Sequence, residues 1–333
     1  MYMTMLMNHI RAVKAWGGKY SAQSSIDVES FQMEVKARNR HFTLQPQFRA
    51  RVDGRLLNVG KMTSQATGFL GWLPYAPQQW ALSTDKLLFK AHMVEHGLRT
   101  PAWWIAPEQP TQDYIVKGAR GSFGLHITGP FAAGVAWPQG TADAPPSQGV
   151  RYAEQFIQGV NLKVWIWGRT IFHAHTYSYP AVTGDGVHRI DELIEFLAQA
   201  QSPRMPRAPG DANAISESLA HQGFLKDEVL AEGVSAWLDF RYGRDYESPR
   251  TTELADNALP QLSEAILAQA QFAVEALAIA LEAEFPAPVL YSLDGVVDLF
   301  GNAWWLEVNS NPTLPPTGYP HVFSTLFGTP PVL

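Results

Sequence analysis

The side chains best suited to chemistry lie near the end of the chain, in the stretch DGVVDLFGNAWWLEVN. Asp294 opens this stretch, Glu307 and Asn309 close it, and its alternation predicts two paired strands joined at Gly301-Asn302. Because successive strand side chains point to opposite faces, Glu307 and Asn309 share one face. Carboxylate and amide oxygens suit Mg²⁺, which keeps water or phosphate oxygens in its remaining positions. The three residues therefore form a candidate magnesium site, and an ordinary exposed hairpin is the alternative.

A lysine followed by glycines forms a second candidate site. DYIVKG predicts a strand that ends at Lys117 and Gly118, and Gly121, Ser122 and Gly124 follow in a tight loop before the returning strand LHIT. Glycines allow backbone N–H groups to close around an anion, and a lysine adds a point charge. The stretch predicts a phosphate-binding loop, with a structural hairpin tip and a solvated lysine as the alternative.

A third pattern, HxxEH, is formed by His92, Glu95 and His96 on a helix predicted over roughly 84–96. The two histidines are four residues apart, which is the spacing that zinc binding requires on a helix. The apolar positions that predict the buried stripe of this helix are Leu87, Ala91, Val94 and Leu98. That stripe would leave both histidines on the solvent side. A solvated helix face is therefore the favoured interpretation, and a zinc peptidase is a remote alternative.

Length and composition limit the function classes. The 333 residues correspond to about two domains, and 46% hydrophobic with 17% charged residues is typical of a folded chain. A net charge of -6 gives no broad basic surface, so nucleic acid is not an expected partner. The chain has no cysteine, so any metal must be held by oxygen or imidazole.

The chain start and the one long apolar stretch predict a cytoplasmic protein with no membrane partner. At the start, the positive charges follow the apolar residues and no small-residue cleavage site is present, which is unlike a secretory signal. The alanine-rich stretch 265–283 is interrupted by Glu275 and Glu282, which argues against a membrane span of about 20 apolar residues.

The elements that must position these residues follow an α+β order rather than a regular βαβ alternation. The first 80 residues predict a small mixed domain, with a helix near 5–16 and two extended segments joined at Asp53-Gly54. They lack a GxGxxG fingerprint after a strand, so no dinucleotide site is indicated. The later predicted elements are a hairpin over 162–182 centred on Gly168, helices over 190–200 and 213–223, and a long helix over 259–285.

Four motifs in this order resemble the ATP-grasp superfamily of carboxylate–amine ligases, over roughly residues 83–320. They are STDKLLFKAHMVEHGLRTPAW, DYIVKGARGSFG, EQFIQGVNLKVWIWG and DGVVDLFGNAWWLEVNSNP. Within the superfamily, the chain is most similar to the ATP-grasp module of cyanophycin synthetase and to D-alanine:D-alanine ligases. The resemblance implies an ATP-grasp fold, in which two α+β lobes hold ATP between antiparallel sheets beside the small N-terminal domain.

The resemblance also implies domain boundaries and site residues. Residues 1–80 would form the N-terminal domain, 81–157 the small lobe with the glycine-rich loop, and 158–333 the large lobe with the metal site and the acceptor region. The nucleotide would be held by Lys86, Lys117, Gly121, Ser122, Phe123, Gly124, Glu154, Ile157 and Asn161. The metal ligands would be Asp294, Glu307 and Asn309, holding one or two Mg²⁺ ions for which Mn²⁺ can substitute. The catalytic residues would be Lys163, Arg241 and Arg244, with surface salt bridges as the alternative for the two arginines.

The reaction that the resemblance implies joins a carboxylate to an amine through an acyl phosphate, giving an amide, ADP and phosphate. The substrates would be small amino acids or peptide-like molecules, and a homodimer is an open alternative for the assembly. Ser178 and Ser292 stand where relatives carry arginines, and Asn161 and Lys163 replace a ribose-binding acid and a phosphate-binding arginine. These departures leave two alternatives open, namely an ATP-grasp kinase and a nucleotide-binding protein without catalysis.

Overall fold

Four antiparallel sheets form the framework of the protein. The computed structural model describes residues 2–52, 55–121, 127–136, 149–200, 212–241, 257–285 and 287–329. Its helices are α1 (Tyr2–Lys19), α2 (Ala81–Thr84), α3 (Lys86–Glu95), α4 (Ile190–Ala200), α5 (Ala212–His221), α6 (Glu264–Glu284) and α7 (Tyr319–Phe327), with 3₁₀ turns at Leu259–Gln261 and Pro316–Gly318.

The strands are β1 (Gln23–Ile26), β2 (Met33–Ala37), β3 (Arg40–Val52), β4 (Arg55–Val59), β5 (Ala66–Leu73), β6 (Trp103–Trp104), β7 (Tyr114–Gly118), β8 (Thr128–Phe131), β9 (Arg151–Gln155), β10 (Gly159–Trp167), β11 (Thr170–Tyr177), β12 (Ala181–Thr183), β13 (Ser235–Trp237), β14 (Leu290–Asp298) and β15 (Ala303–Asn309). All strand pairings among the described residues are antiparallel. The predicted α+β class is therefore confirmed.

The N-terminal sheet is organised around β3, which pairs with β2 and β4 and also with β5. Strand β2, MEVKA, buries alternate side chains, as expected for a sheet with one covered face. The helices that cover it come from the two ends of the chain, because α1 and α7 share its core. His9 of α1 lies 2.9 Å from the hydroxyl of Tyr319 on α7, and that hydroxyl accepts a hydrogen bond from the backbone of Trp72. The predicted turn at Asp53-Gly54 lies outside the described residues.

The small-lobe sheet has the order β6-β9-β7-β8. Helix α3 begins beside it because Asp85 caps the helix, its carboxylate accepting from the backbone N–H of Leu87 at 3.0 Å. The N–H of Lys86 donates to the carbonyl of Ala119, just beyond β7, at 2.8 Å. These contacts place the first residue of α3 at the beginning of the glycine loop.

The predicted buried stripe of α3 is wrong at two of its four positions, whereas Leu98 is buried and Leu87 is half-buried. Ala91 and Val94 are exposed, and the buried side chains are Phe89, Lys90 and Met93. The pattern failed because it counted apolar residues only, whereas the face that packs on the neighbouring elements includes a buried lysine.

The large lobe is the sheet β11-β10-β14-β15, with α6 packed on it. Ser263 caps α6 by accepting from the backbone N–H of Ile266 at 3.3 Å. Helix α6 is long and apolar enough to cross a membrane, a test that the buried core helix of a protein also passes, so the prediction from Glu275 and Glu282 stays a prediction. Eight of its side chains are buried in the protein core. Helices α4 and α5 share a smaller core with β12 and β13, and α5 also lies against β8 of the small-lobe sheet.

Candidate active site

A cavity of about 520 Å³ lies where the three main sheets meet. Its walls come from β7 and β9 of the small lobe, from β10, β14 and β15 of the large lobe, and from β3 and β4 of the N-terminal sheet. A space of this size is typical of sites for small ligands.

The large-lobe wall carries a row of charged side chains whose order is set by strand register. Lys163 on β10 pairs with Asp294 on β14, and Asp294 pairs with Glu307 on β15. Side chains that are directly opposite on neighbouring strands share a face, so all three point to the cavity that they line. An irregularity at Gly295 shifts the register beside Asp294, and a Cβ at Gly295 would lie 2.8 Å from the Trp305 ring. The missing side chain therefore permits the close strand approach that aligns the row.

The row is held by two ion pairs and an amide contact. Lys163 Nζ lies 2.8 Å from Asp294 Oδ1, and Lys86 Nζ lies 2.9 Å from Glu307 Oε2. The amide of Asn309 donates to Asp294 Oδ2 at 3.1 Å. Burial opposes ionisation of both carboxylates. The pKa of Asp294 is raised by this burial and by Glu307, whereas Lys86, Lys117 and Lys163 outweigh burial and hold the pKa of Glu307 below its ordinary value.

The donor set fits a hard divalent cation. Asp294, Glu307 and Asn309 offer oxygen atoms only, lie on adjacent strands and line one cavity. Asp294 is also a buried carboxylate whose anionic form is disfavoured by its surroundings, which a cation would relieve. The sequence-predicted metal residues are thus brought together.

The small-lobe wall carries a second ionic cluster, formed by Lys90, Lys117 and Glu154. Glu154 lies 2.7 Å from Lys90 Nζ and 2.6 Å from Lys117 Nζ, and it also accepts a hydrogen bond from Tyr152. Burial by itself would raise the pKa of Glu154, but Lys117 and Lys90 hold it below its ordinary value. Burial lowers the pKa of Lys90 to about 8, assisted by Lys117. Glu154 therefore pairs with two lysines at once and keeps the Lys117 ammonium at the cavity wall.

The glycine loop is described up to Gly121 and again from residue 127. Gly121 adopts a φ of +120°, a region that favours glycine, and its carbonyl accepts a hydrogen bond from Lys86. The predicted loop residues Ser122, Phe123 and Gly124 lie outside the described residues, as does the predicted catalytic residue Arg244.

The segment between the two lobes supplies an apolar part of the cavity wall. Ile157 lines the cavity, and its carbonyl accepts a hydrogen bond from the Tyr179 hydroxyl at 3.3 Å. Asn161 is buried, and its amide donates to the carbonyl of Phe240 at 3.3 Å. The apolar side chains that line the cavity include Ile115, Ile127, Phe156, Ile157, Val296, Leu306 and Phe240. Such a wall suits the faces of a flat ring.

Arg241 has an unused donor at the cavity. Its Nε donates to Asp239 at 2.8 Å and its Nη1 to the carbonyl of Ile127 at 3.1 Å. Its Nη2 is buried and makes no hydrogen bond to the part of the chain that the structure describes. Because a buried N–H without a partner is costly, this atom is a candidate donor to an anionic ligand.

The cavity is positive although the chain is negative. Its described lining includes the cations Arg49, Lys86, Lys117, Arg120, Lys163 and Arg241 and the acids Glu154, Asp294 and Glu307. The surplus of positive side chains, in a chain of net charge -6, favours a polyanionic ligand.

Sequence reasoning missed several residues of the site. Lys90 stood in the predicted helix without a sign that it would be buried, and Arg49 and Asn58 stood in strands far from any motif. The segment Ser310–Thr313 also lines the cavity. Arg49 belongs to the polar set of a strand that alternates apolar and polar residues, as Arg51 also does, so the pattern carried no signal that Arg49 would line the cavity.

The HxxEH residues lie apart from this cavity. Ligand atoms of His92, Glu95 and His96 lie within 4.8 Å of one another, and His96 Nδ1 is 2.9 Å from the carbonyl of His92. His92 is half-buried rather than solvated, in contrast to the predicted position. None of the three is among the described residues that line the cavity, so the arrangement does not favour a peptidase site.

Comparisons with known proteins give partial likeness only. A bifunctional glutathione synthetase from Pasteurella multocida matches at 14% identity and a TM-score of 0.44, over 98% of this chain and 44% of that one. A D-alanine–D-alanine ligase from Bacillus anthracis complexed with ATP matches at 12% identity and a TM-score of 0.33, over 70% of this chain and 56% of that one. An L-amino acid ligase from Bacillus licheniformis matches at 14% identity and a TM-score of 0.35, over 74% and 46%.

The chain spans about half the length of these solved structures. Each of the three is named as a ligase or a synthetase, the class of enzyme that the sequence motifs resemble. No family model and no curated protein matches the chain. Likeness at these TM-scores does not assign a reaction to this chain.

Proposed function

We propose that the chain is an ATP- and Mg²⁺-dependent ligase that joins a carboxylate to an amine and releases ADP and phosphate. The observation that carries the proposal is the cross-strand row of Lys163, Asp294 and Glu307. Lys86 pairs with Glu307 of this row, and Lys117 lines the same positive cavity. Lysines beside an oxygen-only metal site are the groups that phosphoryl transfer needs, because that reaction depends on positioning and charge neutralisation.

Lys86, Lys117 and Lys163 would contact the phosphates of ATP. Each of them now pairs with a carboxylate, so the three ammonium groups are already held at the cavity wall. Asp294, Glu307 and Asn309 would hold Mg²⁺, which when bound supplies positive charge against the phosphates. The apolar wall near Ile157 would contact the base.

Arg241 would act on the acid substrate. Its free Nη2 can donate to the reacting carboxylate and to the oxygens of the acyl phosphate, while Asp239 and the carbonyl of Ile127 hold the guanidinium in place. The amine would then attack the acyl carbon, and phosphate would leave. This step requires an environment that keeps water from the acyl phosphate.

The remaining predictions from the sequence belong to the same proposal. They are the boundaries at 80 and 157, the amino-acid or peptide-like substrates, the cytoplasmic location and the absence of nucleic-acid and membrane partners. The homodimer stays an open alternative.

The test begins with nucleotide binding and continues with the products. Calorimetry should detect ATP binding in Mg²⁺ and a large loss of affinity in EDTA. Incubation with MgATP and pairs of amino acids, followed by phosphate assay and mass spectrometry, should give ADP and a product of mass A plus B minus water. A stable phosphorylated acid would support the kinase alternative instead. Binding without turnover would support a nucleotide-binding protein, and no magnesium-dependent binding would refute the proposal.

A further inference from the structure

The N-terminal sheet contributes a cation to the cavity. Arg49 lies in the middle of β3, opposite Asn58 on β4 and Gly68 on β5. Arg49 and Asn58 both line the cavity, and no atom lies within 4 Å of the position that a Cβ on Gly68 would occupy. A polar pair therefore stands on this wall with open space beside it. Among the described lining residues, Arg49 is the only charged side chain that comes from this sheet.

This wall is fixed to the strand that carries the metal ligands. β15 ends at Asn309, and the next residues, Ser310–Thr313, line the cavity. Asn311 exchanges two hydrogen bonds with the backbone of Gln78, at 3.0 and 2.6 Å. The N–H of Leu314 then donates to the carbonyl of Leu70 on β5 at 2.8 Å.

Close packing at the same place reinforces that attachment. Gly71 has a φ of +131°, and a Cβ there would lie 2.9 Å from Leu314 Cβ. The backbone of β5 therefore lies directly against the segment that follows the metal ligands. Arg49, on the strand paired with β5, stands on the side of the cavity where β15 ends, whereas Glu154 and Ile157 form the small-lobe and interlobe side.

We infer that Arg49 binds a carboxylate of the amine substrate that the reaction does not consume, which makes it a specificity-determining residue; this inference rests on the proposed function. Ligation uses one carboxylate and one amine, so an amino acid or peptide that supplies the amine keeps its own carboxylate in the product. A guanidinium binds a carboxylate through two parallel hydrogen bonds, and the Asn58 amide beside it can add a third polar contact.

The other described cations that line the cavity come from other walls, and Arg120 among them pairs with Asp85 at 3.5 Å. Lys86, Lys117 and Lys163 pair with the carboxylates of the phosphate and metal region, and Arg241 is held by Asp239. Arg49 comes from a different sheet, which places a second guanidinium on a separate wall from Arg241. The substrate class is therefore an amine that bears a free carboxylate, such as an amino acid or a peptide with a free C-terminus.

The test compares Arg49→Gln with Arg51→Gln in the full chain. Arg51 lies two residues along the same strand, is exposed and is not among the described residues that line the cavity, so its replacement changes the same charge outside the site.

The probes are the free amino acid that gives the highest rate in the amino-acid panel and the amide of that amino acid. For Arg49→Gln we expect the KM of the free acid to rise about 10- to 100-fold, with the KM of the amide and of ATP unchanged. Arg51→Gln should leave all three values unchanged.

The outcomes separate this inference from the proposed function. If the native chain binds no MgATP or forms no amide, the proposed function fails and the inference falls with it. If the native chain ligates but Arg49→Gln keeps the same KM for the free acid, or shifts the KM of acid and amide equally, only the inference is overturned. Arg49→Lys guards against a folding defect, because it keeps the charge and should give an intermediate KM with unchanged ATP affinity.

Discussion

Two lysine–carboxylate clusters face each other across the cavity, and they differ in their access to solvent. In the large-lobe cluster, Lys86 and Glu307 keep 13% and 23% of their side chains exposed, and Lys163 and Asp294 keep 7% and 13%. In the small-lobe cluster, Lys90 and Glu154 are exposed by only 0% and 1%. The large-lobe cluster therefore opens to a ligand, whereas the small-lobe cluster is closed except at Lys117, which keeps 7% of its side chain exposed and lines the cavity.

The difference in exposure indicates that the large-lobe cluster binds a ligand and that the small-lobe cluster positions a side chain. The large-lobe cluster has a carboxylate for each lysine and an amide beside them, so its pairs can exchange partners when a cation and phosphates arrive. The small-lobe cluster has one carboxylate for two lysines in a desolvated setting, where an unpaired charge is expensive. We accordingly expect Glu154 to position Lys117 and Glu307 to bind the ligand.

The largest expected effect is on catalysis, from Glu307→Gln. This change removes one metal-binding charge while keeping the shape of the side chain, and we expect turnover to fall about 1,000-fold or more with the fold intact. ADP formation measures the turnover, and thermal unfolding measures whether the fold is intact. The matched control is Glu275→Gln, which alters an exposed pair with Arg169 and should leave turnover unchanged. Normal ADP formation in Glu307→Gln would show that turnover does not need this carboxylate, and the ligand-binding role expected for the large-lobe cluster would be wrong.

The next effect is on stability, from Glu154→Gln. The change leaves Lys90 and Lys117 buried without a counter-charge, and we expect the free energy of unfolding to fall by about 3 kcal/mol. Urea denaturation of this variant beside Glu307→Gln gives the contrast, since Lys86 keeps some exposure and its loss of a partner should cost about 1 kcal/mol or less. Equal losses of stability in the two variants would show that the two clusters do not differ in this way.

The smallest effect at pH 7 is that of Lys90→Met, which instead changes the pH dependence of the stability. Burial lowers the pKa of Lys90 to about 8 in the folded state, whereas an unfolded lysine titrates near 10.5. Between these values the unfolded state binds more protons, so the stability of the native chain rises with pH, by at most about 1.4 kcal/mol per pH unit from this group.

In Lys90→Met this rise should be absent, while stability at pH 7 should change by only about 1 kcal/mol because Lys117 still balances Glu154. Urea denaturation of both proteins from pH 7 to 10.5 measures the difference. Parallel stability curves for the two proteins would contradict the burial that distinguishes the small-lobe cluster.

Local patterns were readable because they depend on neighbouring residues. The helix over 190–200 was predicted with the bounds that the structure has. The hairpin centred on Gly168 was predicted from the β-branched and aromatic residues on both sides of that glycine, and the structure gives Gly168 a φ of +59°, which favours glycine. The sequence also indicated an oxygen-only site at Asp294, Glu307 and Asn309. It could not show that Lys90 would be buried, because that depends on Glu154, which lies 64 positions further along the chain.

The amino-acid sequence by itself determined the α+β order of elements and the chemical character of its polar groups, since residue type and local periodicity are sufficient for both. Tertiary structure alone decided that Lys163, Asp294 and Glu307 form one row, because a shift of one residue in strand register would turn a side chain to the other face of the sheet. It also decided that Arg49 lines the cavity and that α7 closes the N-terminal sheet. Contacts between distant segments depend on packing and backbone pairing across the whole fold, so a local sequence pattern cannot predict them.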